Sequence, residues 1–339
     1  MENPMEFKDL LGAGKVINGV DKLLNTVGRG LGWVFDPTQQ RRLAAAKADG
    51  IITEARAWAE AERILSKGPS APFELFPSEL LDQFDEGVRK LALRAGRRFQ
   101  HQELKREANR TRIIQYAIDE IQNKKNISPE EVDEDWITNF FNQAQDVSNE
   151  QMQSLWGRIL AGEVRNPSSF SFKTLNILKS ISSKDANLFS KYASCMINNA
   201  DIYIINNFYD YNEMLYLIDL ELLNPVISSR CYYYKEQHLN EPLFLTIGTR
   251  VQMPSAIPTY YPLIVKFHAE SPSQISIPSY VLSLSGRELS TLIETQPNQE
   301  YIHEVVATFK KQRVDVFTCA TGYDNDGYLC CDFDALTQL

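Results

Sequence analysis

Few residues in this chain are of a type and spacing that could do chemistry. Metal-dependent nuclease chemistry needs carboxylates and a lysine converging on a mixed sheet. The only such grouping near predicted strands is Asp315, Asp332 and Asp334 with Lys310, and its spacing is not diagnostic. Asp133-Glu134-Asp135 opens a predicted helix, where carboxylates complement the dipole. Gly12-Ala13-Gly14-Lys15 suggests a phosphate loop. That motif needs glycine five residues before the Gly-Lys pair and Ser or Thr after it, and Asp9 and Val16 stand there instead. Asp324-Asn325-Asp326-Gly327 lacks the ligand run of an EF-hand and reads as a hairpin turn. Cys195, Cys231, Cys319, Cys330 and Cys331 show no metal-ligand spacing. The expectation is a non-enzymatic protein with no catalytic, cofactor-binding or metal-binding residues.

Two stretches carry surface chemistry instead. Between Met5 and Phe35, apolar residues including Leu10, Ile17, Val20, Leu24, Val27 and Leu31 recur every three or four positions, with Trp33 near the end. Lys8, Lys15, Lys22 and Arg29 recur every seven, so the cations share a face. Such a helix fits a membrane interface. It equally fits an arm packing its stripe on the rest of the fold or on a sister subunit. Its glycines weaken it as a lone helix, and the Gly28 to Gly32 spacing allows close helix approach. The second stretch holds Arg89, Lys90, Arg94, Arg97, Arg98, Lys105, Arg106, Arg110 and Arg112, nine cations against two Glu. It is either a solvated helix face or a contact for a polyanion, phosphate backbone or anionic lipid.

The elements that must position these residues are mostly helices. An alanine-rich, charge-laced helix is expected from about residue 37 to 66, and one or two helices from about 78 to 124. A compact helical unit follows. Trp136, Ile137, Phe140, Phe141 and Ala144 make one stripe; Met152, Leu155, Trp156, Ile159 and Leu160 make the next. Ser148 is the expected cap of that second helix, with Gly162 and Pro167 ending it. Ser171 caps a third helix carrying Leu175 and Leu178, and Ser183 caps a fourth. Beyond Asp201 tyrosine, proline and β-branched residues become frequent, which marks a change of domain. Helices are expected at 211–223, 285–294 and 299–312, and strands at 227–233, 243–252, 263–269, 279–284 and 314–319.

The run DEDWITNFFNQAQDVSNEQMQSLWGRILAGEVRNPSSFSFKTLNILKSIS, with Asp36 to Ala55 and Leu282 to Ile293, resembles a bacterial family called domain of unknown function 2806. The family brings no activity to carry over. A more distant resemblance is to abortive-infection proteins. SYVLSLSGRELSTLI resembles the strand-then-helix segment of winged-helix domains, with Ser283 and Ser285 near the usual threonine.

The expected architecture is mainly helical over the first two-thirds, followed by an α+β, winged-helix-like C-terminal domain. Its parts are an amphipathic helix (1–35), long charged helices (36–125), a compact helical domain (126–200) and a sensing or partner-binding domain (201–339). The expected function is that of an anti-phage effector whose N-terminal helix acts on the inner membrane. The alternative is a nucleic-acid-associated regulator using residues 89–112 and the winged-helix-like segment. Expected partners are further copies of the chain, inner-membrane lipid and a phage protein or other trigger, with nucleic acid behind them. The net charge of −9 argues against non-specific nucleic-acid binding by the whole chain. An odd cysteine count with no secretory leader points to the cytoplasm, with the protein peripheral to the inner membrane. No run of 18 apolar residues is present.

Overall fold

The computed structural model describes residues 19–31, 85–122, 124, 126–205, 208–233, 242–249, 260–268, 270–323 and 329–339; side chains from 320 to 334 are outside that description. The chain divides into two compact units, residues 1–167 and 168–339. The composition change near Asp201 therefore falls inside the second unit. The expected helix at 37–66 lies outside the described residues.

In the first unit the helices are α1 (Gly19–Leu31), α2 (Glu86–Ile121), α3 (Glu134–Ala144) and α4 (Glu150–Arg165). The span expected to hold one or two helices is a single α2 in its described part. Asp85 starts it by accepting from the Gly87 and Val88 amides, which otherwise lack partners at a helix N-terminus. Asp133 does the same for α3, accepting from Trp136 N at 2.7 Å. The cap of α4 is Asn149, not Ser148: its side chain accepts from Met152 N. Ser148 instead lies within reach of Asn109 Nδ2. Gly162 does not stop α4, because it is a buried residue inside the helix. The stop comes at Asn166, which is extended (φ −139°, ψ 93°), as the residue before a proline prefers.

The core of this unit is aromatic. Phe140 meets Trp156 edge-on with ring centroids 5.2 Å apart, and Trp136 stacks on Phe140 at 5.3 Å. Around them Ile113, Ile114, Ala117, Ile121, Ile159 and Leu160 are buried. Gly157 lets α4 approach α2 closely. A Cβ there would sit 2.9 Å from Ile113 O and 3.0 Å from Ala117 N, both backbone atoms.

In the second unit, α5 (Phe172–Ser180) and α6 (Ser183–Ala193) precede the strands. Of the three helices expected to form one compact group, α3 and α4 thus fall in the first unit and α5 in the second. Ser171 caps α5; Ser182, one residue before the expected Ser183, caps α6 in a reciprocal box with Asp185. Asn198 and Asn199 adopt positive φ, which asparagine tolerates, and turn the chain into β1 (Asp201–Tyr203). Then come α7 (Tyr211–Asp219), β2 (Ser228–Tyr233), β3 (Leu243–Gly248), β4 (Tyr260–Lys266), β5 (Gln274–Val281), α8 (Leu284–Ser290), α9 (Gln299–Lys311), β6 (Asp315–Tyr323) and β7 (Leu329–Gln338). All ladders are antiparallel, in the orders β1-β5-β2 and β3-β4-β6-β7. The arrangement is α+β, as expected. The strand-then-helix segment is present as β5 and α8, with Ser283 accepting from Gly286 N.

Three tyrosines anchor this unit. The Tyr301 hydroxyl accepts from Tyr203 N at 2.7 Å and donates to Tyr203 O at 3.3 Å, and the Tyr203 and Tyr232 hydroxyls bond each other. Burial pushes all three hydroxyl pKa values up. In the unfolded chain they ionise near pH 10, about their ordinary value. Folded, they hold their protons past that point, so between the two pKa values the native state binds more protons. Their contribution to stability is complete below about pH 10 and is lost as the pH rises through the folded values. A series of urea midpoints followed on the second unit is expected to fall above that pH. Tyr203→Phe with Tyr232→Phe should flatten the fall.

Candidate functional site

The stretch with the most surface chemistry, α1, is built into the first unit. Leu23 and Val27 are 0% exposed, Thr26 is buried, and Val20, Leu24 and Leu31 are half-buried. The helix packs on α3, α4 and α2. Two glycines make the seat. A Cβ on Gly30 would lie 2.7 and 2.8 Å from the Ile137 γ carbons, and one on Gly19 would lie 2.9 Å from Ile121 Cγ1. Gly28 has no atom within 4 Å of that position, so close approach belongs to Gly19 and Gly30 and not to Gly28. Gly28→Ala is therefore expected to stabilise the first unit by up to about 1 kcal/mol through helix propensity. Gly30→Ala is expected to destabilise it. Paired thermal melts check both signs.

Lys22, read from the sequence as a member of a basic face, turns inward. Its Nζ donates to Ser128 O at 2.8 Å and to Val164 O at 2.6 Å. Val164 lies in the last turn of α4, where carbonyls lack helical partners and the dipole favours a cation. Burial lowers the Lys22 pKa, opposed by the charge of Glu130. Arg29 stays at the surface, paired with Glu131 at 2.5 Å. Leu10, Ile17, Trp33, Lys8 and Lys15 lie outside the described residues.

The nine cations of α2 separate into groups. Arg106 pairs with Asp146 and Glu103, and Arg110 with Glu107 and Gln145; both tie α2 to the segment after α3. Lys90 pairs with Glu86 one turn away. Arg89, Arg94, Arg97, Arg98, Lys105 and Arg112 are exposed. Beside them on the same part of α2, Val88, Leu91, Leu93, Phe99 and Leu104 are exposed too; the apolar pattern places Leu91, Leu93, Phe99 and Leu104 on the buried side with Ile113, Ile114, Ala117, Ile118 and Ile121, but only these last five are buried.

Several carboxylates in the second unit have structural partners. Glu288 accepts from Ser171 N, Ser171 Oγ and Thr174 Oγ1, which pins the start of α5 to α8. Asp201 takes Arg230 Nε at 2.7 Å and Ser279 Oγ at 3.4 Å. Glu213 binds Lys191 and the Tyr192 hydroxyl, and the Lys191 ammonium holds its carboxyl below the usual range. Lys310 and Asp315 are exposed, while the side chains of Asp332 and Asp334 lie outside the described ones. Burial pushes the Cys195 thiol up to about 11, which makes it a poor nucleophile. Among the described residues no group of three His, Cys, Asp or Glu could hold a metal ion, and no helix is long and apolar enough to cross a membrane.

No curated protein and no solved structure matches the chain. Residues 93–231, from the first third of α2 to within β2, match the family model described as protein of unknown function (DUF2806).

Proposed function

We propose that this chain is a non-enzymatic effector that holds α1 in reserve and delivers it to a membrane when a partner engages the second unit. The observation that carries the reading is the seat of α1. Leu23 and Val27 on its apolar face are fully buried, while the side-chain polar fastening found among the described residues is Lys22 donating to two carbonyls and the surface ion pair of Arg29 with Glu131. Exposed ion pairs hold about 0–1 kcal/mol. The glycines that fit the seat also make α1 a weak helix on its own, which suits a segment with two resting places. Non-enzymatic action is in keeping with the capping and pinning roles of Asp85, Asp133, Asp185 and Glu288. The anti-phage, abortive-infection setting is drawn from the sequence resemblance, and the inner membrane as target from that resemblance together with the amphipathic, basic pattern of residues 5–35.

A covalent lock tests this. The Gly30 Cβ position lies 3.2 Å from Ile137 Cβ, close to disulfide reach, and replacing Ile137 removes the two γ carbons that crowd it. The Gly30→Cys/Ile137→Cys pair is expected to fold, oxidise and lose its action on cells or dye-filled vesicles, and to regain that action with reductant. Undiminished action in the oxidised form would overturn the proposal, because the action would then not require α1 to leave its seat.

A further inference from the structure

We propose that the first half of α2, residues 86–105, is a docking surface for an anionic lipid bilayer, distinct from α1. Buried positions on α2 begin at Asn109, Gly96 apart, and continue through Ile113, Ile114, Ala117, Ile118 and Ile121. At 100° per residue, Val88, Leu91, Ala95 and Phe99 fall on the same meridian as Ile113 and Ala117. Among the described residues, the apolar stripe that packs the lower part of the helix thus runs on past its partners for about 30 Å. There Val88 is 42% exposed, Leu91 60% and Phe99 51%. Leu93 and Leu104 occupy a separate strip and are not part of this surface.

Charge selects the occupant. Arg94, Arg98 and Lys105 border the stripe on one side and Arg89 on the other, and all are exposed. From Glu86 to Arg106 the helix carries seven Lys and Arg against two Glu. Two copies pairing through this face would bring like charges together. A phosphate backbone would satisfy the cations and leave Leu91 and Val88 facing charge. An anionic membrane satisfies both: acyl chains take the stripe, and headgroups take the cations along its borders.

Flotation of the full chain tests the inference, using vesicles of phosphatidylcholine alone and of phosphatidylcholine with phosphatidylglycerol. The parent is expected to float only with the anionic mixture. Leu91→Glu/Phe99→Glu should weaken that binding at least about tenfold with an unchanged melting temperature, because both positions are exposed. Arg94→Glu/Arg98→Glu/Lys105→Glu should weaken it roughly a hundredfold. The oxidised Gly30→Cys/Ile137→Cys protein should still float, which separates this surface from release of α1. Failure of the parent to float, or unchanged binding by both α2 variants, overturns the proposal. So does a dimer, seen by sedimentation, that Leu91→Glu/Phe99→Glu dissolves without altering flotation; the occupant would then be a second copy.

Discussion

Trp156→Ala is expected to lower the stability of the first unit by about 3–5 kcal/mol. The ring is fully buried and meets Phe140 edge-on, and Ile159, Leu160 and Phe140 around it are buried as well. The gap left behind cannot collapse easily. On the α4 face one residue along, Gly157 already lies against α2 backbone, so α2 cannot move closer there. One effect works the other way. The indole Nε1 is buried without a hydrogen-bond partner among the described residues, a cost that truncation removes. Trp156→Phe separates the two effects, since it keeps most of the packing and deletes the unpaired donor. It should cost well under half as much as Trp156→Ala in urea midpoints of the same protein. Equal losses in the two variants would mean that the indole N–H has a partner and contributes to stability.

Leu23→Glu should unfold the seat of α1. Leu23 is 0% exposed, and a carboxylate placed there would be buried without a partner, at a cost of several kcal/mol. Val20→Glu and Leu24→Glu lie at half-buried positions beside it and should cost less, because their carboxylates can reach water. The graded series distinguishes a packed helix from one lying loosely on the surface. Equal, small shifts in melting temperature for all three would mean that α1 rests on the unit without being part of its core.

The pattern of the helices was legible where period and cap chemistry coincided. Trp136, Phe140 and Trp156 read as core from spacing alone and are core. The cap of α4 was misplaced by one residue because Ser148 and Asn149 are both good caps, and Asn109 offers Ser148 another contact. Gly162 was read as a stop because glycine is a poor helix former, but burial outweighs propensity there. β7 gave no strand signal to separate it from the turn before it, and the three-residue β1 was too short to register. The site was harder. An amphipathic stripe has one sequence signature whether it meets lipid or protein, so burial of Leu23 and Val27 required coordinates. Lys22 is the sharpest case: heptad spacing put it with the surface cations, while the free carbonyl at the end of α4 draws it inward.

Native-state hydrogen exchange of the α1 amides tests the central claim, that α1 is a held and releasable element, most directly. Segments that move in function open at lower free energy than the global unfolding of their unit. Leu23, Thr26 and Val27 are expected to exchange through a sub-global opening with a small dependence on urea, while Ile113, Trp156 and Leu160 exchange only on global unfolding. Exchange of α1 at the same free energy and with the same urea dependence as α2 and α4 would contradict it, and α1 would then be a fixed part of the core.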